Sequence, residues 1–184
     1  MVYLTSCPNV TFKVVAKSTS TDSPEFVEAT FSFLHNSCNE IASALFQSKG
    51  DNVLYLNNIQ KTGIARSWYP NEHVGTELFV AALQEMITKW KMDPRRIDGW
   101  LSNADAKNCA WDVSIPFYYH LPMYIHEHLQ RSYTFHLFCD KEHTQELQWE
   151  AYGDDIKVAA KALRTQFEGT GEDLYFSFRL YEVN

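Results

Sequence analysis

The sequence lacks any apolar run approaching the roughly 20 residues that a helix needs to cross a bilayer. Its first residues contain no basic stretch followed by an apolar block, so we expect no secretory signal. Cysteine is scarce, and none of the four residues forms a Cys-x-x-Cys pair, so we predict neither a zinc site nor a disulfide framework. We interpret Cys7, Cys38, Cys109 and Cys139 as reduced thiols of a cytoplasmic protein that does not associate with membranes.

Basic residues are also in the minority. The chain has 16 Lys and Arg against 23 Asp and Glu, a formal net charge of −7 at pH 7. This balance argues against a protein that binds nucleic acid by neutralising phosphates. It is compatible with an amine substrate or a basic protein partner, but solubility alone is enough to explain it.

Length and aromatic content indicate a well-packed protein. The 184 residues suffice for one domain with a substantial core, and 15% of them are aromatic. We find no internal repeat and no low-complexity tract. We therefore predict a single domain over residues 1–184.

The first half of the chain alternates between apolar and polar residues and then changes to a helical period. The alternation predicts four strands, and the third of them is the most ambiguous. Every fourth residue from Val74 to Trp90 is apolar, which predicts a helix with a wide buried stripe. Pro94 ends it. The predicted strands lie at 11–16, 27–34, 40–47 and 52–59.

The second half contains shorter elements. We predict a strand at 96–101, an irregular or helical aromatic segment at 111–124, and a helix at 154–167 with Asp154 as its cap. Further strands are predicted at 133–139, 145–152 and 173–183. The sum is an α+β protein with a mixed, mainly antiparallel sheet flanked by helices.

The segment 114–123 has the sequence SIPFYYHLPM. It comes after a predicted helix, which has Gly75 in its first turn, and after the short predicted strand that follows this helix. This order resembles the GNAT (Gcn5-related N-acetyltransferase) family, which has a Phe-Tyr-x-x-Leu-Gly-Phe signature at the corresponding place. Pro122 and Met123 stand where the family has Gly and Phe. The resemblance covers about residues 52 to 124 and implies a GNAT-like sheet with a C-terminal helix-strand extension.

The resemblance implies acetyl-CoA as the acyl donor and an N-acetyltransferase activity on an amine. Tyr118 aligns with the family's Tyr, which can protonate the departing thiolate. Backbone N–H groups of the strand at 52–59 would polarise the thioester carbonyl, and the start of the following helix would hold the pyrophosphate. The implied binding residues are Asn58, Ile59, His73, Val74, Gly75 and Thr76. The general base stays open between Glu77, His35 and a water chain.

The same residues permit a second function. Pro70 and His73 stand where the family's pyrophosphate loop has Gln or Arg and Gly, and Glu72 adds a carboxylate there. The alternative is therefore a non-catalytic protein-binding or inhibitor module, of the kind that phages encode, on a degenerate GNAT-like scaffold. Its acidic surface and abundant aromatics suit a basic partner. The long alternating strand near the C-terminus is compatible with a homodimer, and equally with packing inside a monomer.

Two further patterns have structural explanations. Five histidines lie between positions 120 and 143, but His126-Glu-His128 lacks the spacing of a specific metal motif, so we expect no metal site. The aromatic run from Phe117 to Tyr119 is also compatible with ordinary core packing.

Overall fold

The computed structural model describes residues 7, 9–17, 24–34, 36–50, 52–63 and 73–181. The chain forms two compact units, Met1–Pro94 and Arg95–Asn184. In each unit an antiparallel sheet packs with at least one helix. The predicted α+β class is therefore confirmed.

In the described part of the first unit, four antiparallel strands form a meander in the order of the sequence. All four predicted strands are present, including the ambiguous third. They are β1 (Val10–Lys17), β2 (Phe26–Phe33), β3 (Asn36–Ser48) and β4 (Val53–Lys61), followed by the helix α1 (Val74–Lys89).

The core of this unit lies between the sheet and α1, which packs against β2, β3 and β4. The helix buries the predicted stripe, including Leu78, Phe79 and Met86. On β3 the side chains of Ala44 and Phe46 are buried. The rings of Phe46 and Phe79 meet edge to face at 5.3 Å, a favourable aromatic geometry that fixes the helix on the strand.

The second unit has a sheet whose strands do not follow the order of the sequence. Its strands are β5 (Arg96–Leu101), β6 (Tyr133–Phe138), the two-residue β7 (Glu146–Leu147) and β8 (Leu174–Leu180). β8 pairs with β5 on one side and β6 on the other, so the spatial order is β5-β8-β6-β7.

Within residues 95–181 the second unit forms three α-helices: α2 (Asn103–Lys107), α3 (Trp111–Leu129) and α4 (Ile156–Phe167). α3 packs against α4 and β6. Arg164 of α4 donates from Nε to Asp112 of α3 at 2.8 Å, so a charge-assisted hydrogen bond joins the two helices.

Three predictions for this unit were wrong or incomplete. The strand at 145–152 is only β7 followed by a 3₁₀ turn (Trp149–Tyr152), because β7 pairs only with the end of β6. The cap of α4 is Asp155 and not Asp154: its carboxylate accepts hydrogen bonds from the N–H groups of Lys157 and Val158. The short helix α2 was not predicted.

Among the helices in the described part of the chain, none combines the length and the apolar character that a membrane span requires.

Candidate functional site

β4 carries an irregularity where the sequence predicts the thioester-binding strand. In the β3–β4 ladder Leu45 is opposite Asn58, but the next residue, Phe46, is opposite Leu56. Asn57 is therefore an extra residue in β4, which makes a β-bulge. Bulges interrupt the ladder, turn neighbouring groups to a new direction, and are common beside active sites.

The two residues predicted to polarise the thioester follow this bulge directly. Asn58 is exposed and Ile59 is half-buried. Both are paired with β3, at Leu45 and Ala44. The bulge was not predicted, because register depends on the partner strand and no local pattern in 52–59 marks it.

The predicted pyrophosphate-binding residues lie at the start of α1. His73 is the exposed N-cap, and Val74, Gly75 and Thr76 form the buried first turn. The His73 side chain accepts no capping hydrogen bond from the helix. The first turn of a helix directs its N–H groups outward and carries a partial positive charge, so it suits an anion.

Part of the predicted loop falls outside the described residues. Positions 64–72 include Pro70 and Glu72, the residues that depart from the family pattern. His35, one of the three proposed bases, also lies outside the described residues. Glu77 is half-buried in the first turn of α1, and its N–H donates to the carbonyl of His73 at 2.9 Å.

Tyr118 belongs to the second unit and lies in the middle of α3 with only 9% of its surface exposed. Its ring stacks on Phe176 of β8, with centroids 4.1 Å apart. Phe117 and Phe178 contact it at an angle. Burial, helped by the negative charge of Asp105, raises the pKa of the Tyr118 hydroxyl well above its usual value, so the phenol keeps its proton.

Pro122 changes the backbone beside Tyr118. It lies inside α3 four residues after Tyr118 and has no N–H to donate to the Tyr118 carbonyl. One helical hydrogen bond is thus missing at the residue that the family signature marks. Pro122 itself is buried, whereas Met123 is half exposed.

Gly99 of β5 determines where the stacking partner of Tyr118 can lie. A Cβ atom at this position would come within 2.2 Å of Cζ of Phe176. The Phe176 ring therefore occupies the space that a side chain at position 99 would fill. Nothing in the sequence marks this relation, because the two residues are far apart in the chain and meet only through the β5–β8 pairing.

The five histidines between positions 120 and 143 do not gather into a metal centre. His126 and His128 lie two residues apart at the end of the helix α3, where their side chains diverge. Among the described residues, no three His, Cys, Asp or Glu side chains are grouped so that they could hold a metal ion.

The candidate residues thus fall into two groups. The bulge and the start of α1 belong to the first unit, where α1 packs against β4. Tyr118, with Phe176 and Gly99, belongs to the second.

Comparison with known proteins finds no matching family model and no significant match among curated proteins. Several solved structures are similar, and three of them are described here. A spermidine N-acetyltransferase variant from Vibrio cholerae has a TM-score of 0.45 at 12% identity, over 85% of this chain and 66% of that one. A protein described as a streptothricin acetyltransferase from Bacillus anthracis, in complex with acetyl coenzyme A, has a TM-score of 0.44 at 13% identity, over 88% and 65%.

The third is a GNAT family acetyltransferase from Elizabethkingia anophelis with acetyl-CoA bound, with a TM-score of 0.42 at 10% identity, over 95% of this chain and 100% of that one. This chain spans only 66% and 65% of the length of the first two structures. Identities and TM-scores this low assign no activity. The chain resembles GNAT-family acetyltransferases in its fold.

Proposed function

We propose that this protein is an acyl-CoA-dependent N-acyltransferase that moves an acetyl group to an amine of a small molecule or a protein. The observation that carries the proposal is the bulge at Asn57. It interrupts the β3–β4 ladder directly before Asn58 and Ile59, the residues predicted to face the thioester. Backbone donors beside such an interruption are suited to polarise a carbonyl.

The start of α1 supports the binding of the donor. Its first turn has no side-chain cap from His73, and Gly75 has no side chain to obstruct an approaching phosphate. The diphosphate of acetyl-CoA would accept hydrogen bonds from the backbone N–H groups of Val74, Gly75 and Thr76. Glu77, in the same turn, repels an anion electrostatically. It is also a candidate for the base that takes the amine proton, and unlike His35 it lies among the described residues.

Tyr118 supplies the acid. Attack of the amine on the thioester carbonyl expels a thiolate, which needs a proton. A phenol that burial keeps neutral carries that proton throughout the neutral pH range. Its stack on Phe176 fixes the ring, so the hydroxyl points in one direction.

Binding of the donor is the first test. We expect acetyl-CoA to give saturable heat in calorimetry and to raise Tm, as any ligand that binds only the folded state must. His73→Glu, which adds a negative charge at the helix start, should weaken binding about tenfold. Gln84→Glu is the matched control, because it adds the same charge to an exposed position farther along α1. No stabilisation at millimolar acetyl-CoA, or equal losses in the two variants, would contradict the proposed site.

A further inference from the structure

The second unit carries a set of polar side chains on the face of its sheet opposite to Tyr118. Phe176 and Phe178 of β8 face α3, since both contact Tyr118. Side chains alternate along a strand, so Ser177 and Arg179 point to the other face. The β6–β8 register puts His136 opposite Ser177 and Thr134 opposite Arg179, on that same face.

Two of these side chains, with a third from β7, form a continuous line of hydrogen bonds. Oγ1 of Thr134 lies 2.8 Å from Nε2 of His136. The other ring nitrogen, Nδ1, lies 2.7 Å from Oε1 of Glu146. Thr134 and His136 are two residues apart on β6, and Glu146 comes from β7, which pairs with the end of β6. The order is hydroxyl, imidazole, carboxylate.

The carboxylate determines where the imidazole proton lies. An ionised Glu146 only accepts, so Nδ1 of His136 donates to it and Nε2 of the neutral ring keeps its lone pair. That lone pair accepts the hydrogen of the Thr134 hydroxyl. The Thr134 hydroxyl is also within reach of a second acceptor, the carbonyl of Arg179, to which it donates at the longer distance of 3.2 Å; its one hydrogen serves one acceptor at a time. This is the arrangement in which an imidazole removes a proton from a nucleophile and a third group orients the ring.

We propose that Thr134, His136 and Glu146 form a hydrolytic site for small activated esters, separate from the acyl-CoA reaction. Oγ1 of Thr134 attacks the ester carbonyl, and its proton passes to Nε2 of His136. The bond from the acyl carbon to the alcohol oxygen breaks, and that oxygen takes the proton. Water then attacks the acyl-threonine through the same base. Oγ1 leaves and is reprotonated, so ester and water become acid and alcohol.

The surroundings favour this chemistry. Thr134 is exposed, and the side chains of His136 and Glu146 are 24% and 40% exposed, so a soluble ester can reach the hydroxyl. Arg179 stands opposite Thr134 in the ladder, and its guanidinium lies over the ring of Phe138 on the same face.

Two other hydroxyl groups of the unit serve as internal comparisons. Ser132 lies 3.1 Å from Nδ1 of His126, but among the described hydrogen bonds no carboxylate orients that ring. Ser177 donates directly to Asp98 at 2.8 Å and is fully buried. Only Thr134, among these three, is both exposed and joined to an imidazole that a carboxylate holds.

The test uses the full chain and p-nitrophenyl acetate. We expect hydrolysis with an initial burst of nitrophenol, and an acetyl group on the peptide that contains Thr134 when the reaction is quenched and analysed by mass. Thr134→Val and His136→Gln should each lower the rate about 100-fold, the low end of the usual effect of a positioned base. Thr134→Ser should keep most of the wild-type rate of hydrolysis. Glu146→Gln should lower kcat with little change in KM, since Glu146 only positions the ring.

Ser132→Ala, His126→Gln and Cys139→Ser are the controls and should retain the wild-type rate. Thermal unfolding of each variant verifies that it is folded. The proposal is overturned if Thr134→Val hydrolyses the ester at the wild-type rate, if the acetyl group is found on Cys139 or a lysine and not on Thr134, or if His126→Gln loses as much activity as His136→Gln. Acetyl-CoA binding by the same variants is measured separately, so the two proposed functions can fail independently.

Discussion

The ring of Phe176 lies nearly parallel to the ring of Tyr118, with 4.1 Å between centroids and 22° between planes. A stacked partner limits rotation of the phenol and removes water from one face of it. Phe176 comes from β8, an interior strand between β5 and β6, so the sheet itself positions the phenol that we propose as the acid.

The first prediction concerns the chemical step. Tyr118→Phe keeps the ring and its stack but removes the proton donor, so acetyl transfer should slow by about 100-fold, within the range for loss of a general acid. Acetyl-CoA affinity should not change. Tyr119→Phe, at the neighbouring half-buried position, should transfer acetyl groups at the wild-type rate. Equal rates for Tyr118→Phe and the wild type would remove Tyr118 from the mechanism.

The second prediction concerns alkaline stability. Burial raises the pKa of Tyr118 in the folded state above its usual value of 10.0. The contribution of the neutral phenol to the free energy of unfolding is therefore fully present below pH 10.0. It is lost as pH rises above that value, because the unfolded chain ionises first. The wild-type Tm should therefore fall more steeply than that of Tyr118→Phe as pH rises above about 10, the usual tyrosine pKa. Thermal unfolding followed by circular dichroism measures both. Parallel curves would show that Tyr118 ionises normally in the fold.

The third prediction tests the contact of Gly99. Gly99→Ala puts a methyl group where the Phe176 ring lies, so the ring must move and the free energy of unfolding should fall by about 1–3 kcal/mol. Gly63→Ala is the matched control, because a Cβ there meets nothing within 4 Å. Denaturant titration measures the difference. A Gly99→Ala protein as stable as the control would mean that Phe176 adjusts at no cost.

The fourth prediction concerns a buried amide. Nδ2 of Asn103 donates to the carbonyls of Phe167 at 2.7 Å and Glu172 at 2.9 Å, and so joins α2 to the end of α4. Asn103→Ala removes both bonds and should cost about 1–3 kcal/mol. Asn108→Ala removes one exposed bond of 3.4 Å and should cost little. Chemical unfolding of the two variants compares them directly, and equal midpoints would contradict the assigned role.

The fifth prediction concerns the cap of α4. Hydrogen bonds from the N–H groups of Val158 and Lys157 hold the pKa of Asp155 below its usual value of 3.8. The ionised form thus stabilises the fold above that value, and the advantage is lost as pH falls through the lowered pKa. Asp155→Ala should melt at a lower temperature than the wild type at pH 7, and the gap should narrow in acid. Asp154→Ala should melt as the wild type does at both pH values.

The sequence predicts those parts of the fold whose signal is local. The four-residue period from Val74 to Trp90 predicted α1 correctly, because a buried stripe needs no knowledge of what covers it. The alternation in 173–183 likewise predicted a strand. Its neighbours could not be predicted, since pairing with β5 and β6 depends on residues far away in the chain.

The candidate site likewise has some features that are local in the sequence and others that depend on pairing between distant residues. Tyr118 and Gly75 were identified from a motif and an order of elements, which are features of sequence. The bulge at Asn57 and the contact of Gly99 with Phe176 arise only when strands pair in a particular register. The line from Thr134 to Glu146 also depends on pairing, because β7 must return beside β6 to bring the carboxylate to His136.

The position of β8 between β5 and β6 has a consequence for synthesis on the ribosome. All strands of the first unit precede residue 95, so that unit can fold while the rest of the chain is still being made. In the second unit, β5 and β6 leave the ribosome before β8, the strand that lies between them in the sheet. The edges that β8 will pair with stay open until Leu174–Leu180 emerges. A nascent chain stalled before Leu174 would therefore display two unpaired strand edges, and we expect such a chain to recruit chaperones or to aggregate.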